Sequence, residues 1–189
     1  SRSSREVKSN AENFLSKFSK NAKMPLILED EFRAISDWYH FAILELVDTT
    51  GFICDEKWIA QRLGISTFQA KKALQRLIRL NLLVVDGKGA KQTKRNLRTT
   101  DGVPSRAIRK HNKQILAKAT EALASDPLDE RVFGALTVAI DKSMLPELRK
   151  KIIEFRASIN EMITNHDGSS DEVYVLGTQF FKITRGTNK

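Results

Sequence analysis

Apolar residues in the first half of the chain recur at intervals of three and four, the spacing of amphipathic helices. Residues 26–34 interrupt this pattern and are expected to form a connector. A further helix is predicted at about residues 5–20. This helix and the connector together form an N-terminal segment, residues 1–34. The pattern then predicts three further helices, at residues 36–47, 55–63 and 66–81.

The sequence WIAQRLGIS has the layout of a helix-turn-helix. The small Ala60 lets two helices approach, Gly64 permits a tight turn, and Ile65 fills the corner between the helices. Ser66 and Gln69 have the spacing of a capping box, so they predict the first turn of the next helix. In this arrangement the second helix is the recognition helix, whose N-terminal half enters a DNA major groove.

A hairpin is predicted directly after this helix. Leu82–Val85 is a short apolar strand, Asp86–Gly89 forms the turn, and a polar strand returns at about 92–97. An Asp-Gly pair between strand-like segments is a strong hairpin signal. A hairpin that follows a recognition helix is typical of winged helix-turn-helix proteins. We therefore interpret residues 35–99 as such a module.

The rest of the chain predicts a helix followed by a β-α-β unit. Residues 100–125 contain a linker helix that begins at Ser105. Residues 126–189 are interpreted as a dimerisation or sensor part. Its predicted elements are a strand, a long helix and a second strand, at Val132–Ile140, Leu145–Asn165 and Glu172–Thr184.

The two strands of this unit need further partners, because two strands alone make a poor sheet. We expect them to pair with residues 26–28, or with the same strands of another protomer. The predicted fold class is therefore α+β and mainly helical. It consists of a winged helix-turn-helix followed by a long helix and a small β-α-β unit.

Positive charge is concentrated in one part of the chain. The formal net charge is +9, but the stretch from Lys71 to Lys118 holds fourteen Lys and Arg residues and two acids. This stretch therefore carries +12 and the rest of the chain −3. Such a concentration indicates an anionic partner, with nucleic acid first among the candidates. The alternative interpretation is a solvated basic face.

The predicted recognition helix and wing place much of this charge on one surface. Phosphates are bound by Lys and Arg, whereas Arg and Gln also suit base edges. The outward face of the helix carries Lys71, Lys72, Gln75, Arg76 and Arg79. The residues expected in the groove are Thr67, Gln69, Lys72, Gln75 and Arg76. The wing residues expected to contact phosphates are Lys88, Lys91, Lys94, Arg95 and Arg98.

A second basic cluster opens the linker helix after the wing. Near a helix N-terminus, such groups suit DNA phosphates or a small anionic effector. A solvated helix face is the alternative interpretation. The cluster consists of Arg106, Arg109, Lys110, His111 and Lys113.

The sequence offers no recognisable catalytic or metal-binding motif. Cys54 is the only cysteine, so it cannot form an internal disulfide or a cysteine-based zinc site. His40, His111 and His166 lack paired metal spacing, and we expect His40 to be a packed structural residue. Neither a phosphate-binding loop nor a nucleophile elbow is present. We therefore expect a protein that is not an enzyme and needs no cofactor or metal.

Apolar runs along the chain are short. None reaches the ~18 residues that a membrane span needs, and the first twenty residues lack the apolar core of a signal peptide. With a single cysteine, these features favour a cytoplasmic protein without a membrane partner.

Four segments resemble a family of uncharacterised bacterial proteins found in predatory and fibre-degrading species. The segments are DWYHFAILEL from Asp37, WIAQRLGI from Trp58, PSRAIRKH from Pro104 and VYVLGTQFF from Val173. The resemblance covers about residues 30–184. It implies a C-terminal domain of unknown function, usually described as regulator-like, and brings no catalytic residues. It also implies an additional N-terminal region, which fits a chain that begins at Ser1 rather than Met.

These features lead to one main hypothesis and two alternatives. The main hypothesis is a bacterial transcription regulator that binds duplex DNA as a homodimer and responds to a small-molecule or protein effector. Dimerisation is expected because one recognition helix reads only a half-site. The first alternative is a protein-interaction adaptor in a signalling assembly, and the second is an RNA-binding protein.

Overall fold

The computed structural model describes residues 29–87, 89–93 and 105–185. Two compact units are present: Ser1–Lys118 with Asp167–Val173, and Ala119–His166 with Tyr174–Lys189. The predicted α+β, mainly helical fold class is confirmed. In chain order the elements are α1 Glu29–Ala34, α2 Trp38–Leu46, α3 Glu56–Leu63, α4 Thr67–Arg79, β1 Leu83–Asp86, β2 Gly89–Gln92, α5 Arg106–Ser125, a 3-10 turn Lys142–Met144 and α6 Leu145–Thr164.

The core of the first unit forms around α2. Its Ile43, Leu44 and Leu46 are almost completely buried, so apolar contacts surround the helix rather than following one stripe. Residues 29–34 form helix α1, and the predicted connector is wrong at this point because Phe32 packs into the core. Two predictions lie outside the described residues: the helix at about 5–20 and the start of the connector, residues 26–28. Ala107 of α5 also joins this core.

The start and end of α3 are fixed by local interactions. Asp55 precedes the helix, and its carboxylate accepts hydrogen bonds from the backbone N–H groups of Lys57 and Trp58, both at 2.9 Å. Gly64 ends the helix with φ of 63°, in the left-handed region that glycine adopts at low cost. The Ile65 N–H then donates to the carbonyl oxygen of Ala60 at 3.0 Å, which closes the turn before α4.

The predicted capping box at the start of α4 is confirmed. Ser66 Oγ accepts from the Gln69 backbone N–H at 3.2 Å, and Gln69 Oε1 accepts from the Ser66 backbone N–H at 2.9 Å. Ala70 and Ala73 are buried in the core of the first unit, and small side chains of this kind suit the close packing of α4 against α3. Ile78, which was expected to face inward, is exposed.

The hairpin after α4 is present, but its return strand begins earlier than predicted. Antiparallel pairing joins Leu83 to Gln92 and Asp86 to Gly89. The strand was expected to start at about residue 92. Gly89 adopts φ of 137°, which lets the chain reverse directly after Asp86. The helix-turn-helix and hairpin thus follow one another as a winged module requires.

In the second unit, α6 forms as predicted, but the flanking strands do not. Residues 132–140 and 172–184 have no regular secondary structure, so the predicted β-α-β unit is wrong for this chain alone. A strand requires a neighbour that supplies backbone hydrogen bonds, and the described residues provide none for these segments. Residues 26–28, one expected neighbour, lie outside the described residues.

The segment 167–173 belongs instead to the first unit. Ser170 forms an isolated parallel bridge with Thr49, and its carbonyl oxygen accepts from the Thr50 N–H at 2.7 Å. Arg62 of α3 pairs with Glu172 at 2.9 Å. None of the helices in the described ranges has the length and apolar composition needed to cross a membrane.

Gly64→Ala should lower the free energy of unfolding of the first unit by about 1 kcal/mol, because an L residue at this φ is strained. The measurement is urea unfolding followed by tryptophan fluorescence, since Trp38 and Trp58 both lie in this unit. Gly87→Ala is the matched control, because an added Cβ meets nothing within 4 Å at either glycine. Its effect should stay within about 0.5 kcal/mol. Equal losses in both variants would contradict the strain argument.

Candidate nucleic-acid interface

The outward face of α4 carries cations and no acid. Lys71, Lys72, Gln75 and Arg79 are exposed, as are Thr67 and Gln69 at its N-terminus, whereas Arg76 is half-buried. An open cleft of about 280 Å³ on this face is lined by Lys72, Gln75, Arg76 and Arg79. The structure thus brings these four predicted DNA-binding residues onto one surface.

In the first turn of α4, the contacts of Gln69 and the exposure of Phe68 differ from the predicted DNA-binding site. Gln69 Oε1 is occupied in the capping box, where it accepts hydrogen bonds from the Ser66 N–H and Oγ–H groups at 2.9 Å. Phe68, which was not among the predicted site residues, is exposed, and the Lys72 ammonium lies 5.6 Å from its ring centroid. The spacing of four residues on a helix was the signal for this cation–π pair.

His40 on α2 holds the side chain of Arg76. Its Nδ1 lies 3.1 Å from the Asp37 carbonyl oxygen, which can only accept, so Nδ1 carries the hydrogen. The unprotonated Nε2 therefore accepts a hydrogen bond from Arg76 Nη1, at 3.3 Å. His40 is the packed residue that the sequence predicted, but its polar contact with α4 was missed. The contact spans 36 positions, and nothing in the local sequence indicates it.

Burial of the His40 ring lowers its pKa to about 4, although the hydrogen bond to the Asp37 carbonyl acts in the opposite direction. The imidazole is therefore neutral at physiological pH. This state is the one that the contact requires, because a protonated ring could not accept from Arg76.

Asp37 connects the start of α2 to α5. Its Oδ1 accepts from Lys110 Nζ at 2.5 Å and from Gln114 Nε2 at 2.9 Å, while Gln114 Oε1 accepts from the Trp38 backbone N–H at 2.9 Å. Burial raises the pKa of the Asp37 carboxyl, but the hydrogen bonds from Lys110 and Gln114 outweigh this effect and lower it. The ionised carboxylate thus compensates the charge of Lys110.

The second basic cluster, on α5, is divided by the fold. His111 points inward, with its ring 5.7 Å from that of Phe32 and 5.1 Å from that of Phe41. Its Nδ1 lies 3.3 Å from the Ser36 carbonyl oxygen, and burial lowers its pKa. Lys110 is engaged by Asp37. Lys110 itself remains exposed, as do the other predicted residues Arg106, Arg109 and Lys113.

Only part of the predicted wing surface can be placed. Lys91 is exposed on β2, and the neighbouring Gln92 Nε2 donates to Asp48 Oδ2 at 3.3 Å. The other predicted phosphate contacts lie outside the described residues: Lys88, Lys94, Arg95 and Arg98.

Other site chemistry is sparse in the part of the chain that the structure describes. No three His, Cys, Asp or Glu side chains there come together in a group that could hold a metal ion. Cys54 is exposed, and partial burial together with the charges of Asp55 and Glu56 raises the pKa of its thiol. A raised pKa disfavours the nucleophilic thiolate. The basic face of α4 is therefore the strongest candidate site.

The first unit should lose stability as the pH falls from about 6.5 towards 4. His40 has a folded pKa of about 4 against an ordinary value of 6.5, so the unfolded chain binds more protons in this window. The contribution of His40, on the order of 3 kcal/mol, is present above the unfolded pKa and is lost as the pH approaches the folded one. The lowered pKa of His111 acts in the same direction. Urea unfolding followed by tryptophan fluorescence at several pH values measures the slope.

His40→Gln should reduce this pH dependence and leave the part due to His111. The matched control is His166→Gln, since His166 is exposed in the second unit. The same slope in the His40→Gln variant and the unaltered protein would contradict a buried, neutral His40.

Comparison with known proteins supports a family assignment. No curated protein and no solved structure matches the chain. A family model described as "Domain of unknown function (DUF4423)" matches residues 18–183, most of the chain and parts of both units. This match agrees with the uncharacterised family, carrying a domain of unknown function, that the sequence resembles. The chain belongs to the DUF4423 family.

Proposed function

We propose that this protein is a non-enzymatic, cytoplasmic bacterial transcription regulator that binds duplex DNA through α4 and the β1–β2 hairpin. The observation that carries the proposal is the acid-free cationic face of α4, on which Lys72, Gln75, Arg76 and Arg79 line one cleft. Phosphate contacts dominate the affinity of proteins for DNA, and they require a surface of this kind.

The shape of α4 also suits a major groove. The helix has 13 residues and is therefore about 20 Å long. A B-DNA major groove is about 12 Å wide, which admits one helix with its side chains. The N-terminal part of α4 is exposed at Thr67 and Phe68, which leaves these positions accessible to a partner.

The site residues differ in how firmly they are held, which suggests different roles. Arg76 is oriented by His40, so it loses less side-chain entropy on binding and suits a bidentate contact with a guanine edge. Gln75 next to it suits an adenine edge. Lys71 and Arg79 are exposed on the same stripe of the helix as Gln75 and suit phosphates.

Dimerisation and effector binding complete the proposal. Two half-sites in a DNA operator call for two recognition helices, hence a homodimer. Arg106, Arg109 and Lys113 are exposed at the start of α5 and could contact a small anionic effector or further phosphates.

The protein-interaction alternative has one observation in its favour. Phe68, Ile78 and Val84 are exposed large apolar residues in α4 and β1, the elements proposed to contact DNA. Apolar side chains of this size suit the core of a protein interface. The DNA-binding measurement below separates the two functions.

Arg76→Ala/Arg79→Ala should weaken binding to a random-sequence duplex by about 1–3 kcal/mol, that is roughly 5- to 150-fold. Fluorescence anisotropy at about 50 mM salt and at increasing salt measures the effect. The affinity of the unaltered protein should fall steeply with salt, and the slope of the variant should be smaller because fewer counterions are released.

The matched control is Lys142→Ala/Arg149→Ala, which removes the same charge from exposed residues of the second unit. This variant should bind within about twofold of the unaltered protein, since general charge loss alone has a small effect. Absence of duplex binding at about 50 mM salt would exclude the DNA-binding function and favour the adaptor. Equal losses in the two variants would place the binding surface elsewhere.

A further inference from the structure

The second unit lacks a core of its own. None of its described residues, 119–166 and 174–185, is buried. Even the apolar stripe of α6 stays accessible, with Phe155 and Ile163 both more than half exposed. Because burial of apolar surface is the main force that stabilises a fold, this unit needs a partner that covers it.

Two segments of the unit have the composition of strands without the pairing. In residues 132–140, Val132, Leu136, Val138 and Ile140 would share one face of an extended chain, interrupted by Gly134, and Phe133 would lie on the other face. Residues 174–183 are apolar on both faces, which is typical of an inner strand. Neither segment makes a backbone–backbone hydrogen bond within the part of the chain that is described. Their backbone groups are therefore available to another chain.

We infer that a second copy of this chain covers the second unit, with residues 132–140 and 174–184 of both copies pairing in one sheet. Two copies supply four strands and two α6 helices. Three or more strands with an apolar face, or packed on a helix, are the minimum for an independently stable sheet. Each copy contributes the same surface to such a pair, as a two-fold symmetric dimer requires.

The exposed apolar surface is large enough for this interface. Four aromatic side chains of the two segments are exposed by 47%, 70%, 45% and 74%: Phe133, Tyr174, Phe180 and Phe181. A buried aromatic side chain covers about 150–250 Å², so these rings offer roughly 350–600 Å² per copy. With the aliphatic side chains, two copies reach on the order of 1,200–2,000 Å², the area of a standard specific interface.

The charges of the segments favour a second copy over a nucleic acid. Residues 132–140 contain no charged side chain, and residues 174–184 contain only Lys182. Nucleic acid has little to bind here, whereas two nearly neutral surfaces can meet without repulsion. The dimer would also present two copies of α4 to DNA. Only this role of the dimer rests on the proposed function.

Sedimentation equilibrium of the full chain at 1–100 µM tests the inference. The unaltered protein should have twice the 21.4 kDa mass of one chain. Leu136→Glu should raise the dimer dissociation constant by at least about 100-fold, because each copy would bury an unpaired carboxylate. The matched control is Ile53→Glu, an exposed apolar residue of the first unit, and it should leave the mass unchanged.

Amide hydrogen exchange shows whether the two segments are the ones that pair. Amides of residues 132–140 and 174–184 should be protected in the unaltered protein and should exchange rapidly in Leu136→Glu. Fluorescence of Trp38 and Trp58 reports the first unit alone, so it should be the same in both proteins if that unit remains folded.

A monomer at 100 µM, or an open-ended series of oligomers, would overturn the inference. So would a dimer that persists in Leu136→Glu or leaves these amides unprotected. Duplex DNA binding at low salt distinguishes the two proposals. A dimer that does not bind DNA contradicts the DNA-binding function and leaves this inference intact. A monomer that binds DNA contradicts this inference and the homodimer of the proposed function, but not DNA binding through α4.

Discussion

The contacts of Asp37 join three helices of the first unit. Its carboxylate holds Lys110 and Gln114 of α5, and its backbone carbonyl fixes the proton of His40 on Nδ1. His40 in turn accepts from Arg76 on α4. Polar groups that leave water must keep their hydrogen bonds, so each member of such a chain restricts the others. The side chain of Arg76 on α4 is therefore linked, through His40, to contacts made at the start of α2.

This chain of contacts explains why a basic protein buries histidines. At His40 a lysine or arginine would place a charge next to the guanidinium of Arg76, and an apolar residue would remove the acceptor that the imidazole supplies. A neutral imidazole can donate to one carbonyl and accept from one cation. His111 donates to the Ser36 carbonyl in the same way and packs between Phe32 and Phe41. Both rings contribute apolar surface while satisfying buried polar atoms.

Local signals predicted most of the first unit, because they act over three or four residues. The side-chain cap at Ser66 and the left-handed turn at Gly64 each depend on neighbouring positions alone. The basic cluster on α5 was harder to interpret. The sequence shows five basic side chains but not their directions. Tertiary contacts take His111 inward and pair the exposed Lys110 with Asp37. The contact between His40 and Arg76 depends on how α2 and α4 pack, which periodicity does not specify.

In the second unit, local sequence signals predicted the helix correctly but not the strands. A helix satisfies its backbone within itself, so α6 forms where the apolar spacing predicts it. A strand satisfies its backbone only against a neighbour, and a single chain offers residues 132–140 and 174–184 no such neighbour among its described residues. The apolar pattern of these segments therefore remains a prediction of strand character that the structure of the single chain does not bear out. Because the two units are stabilised by different contacts, the proposed DNA binding and the inferred self-association can be tested separately, even though one family domain includes parts of both units.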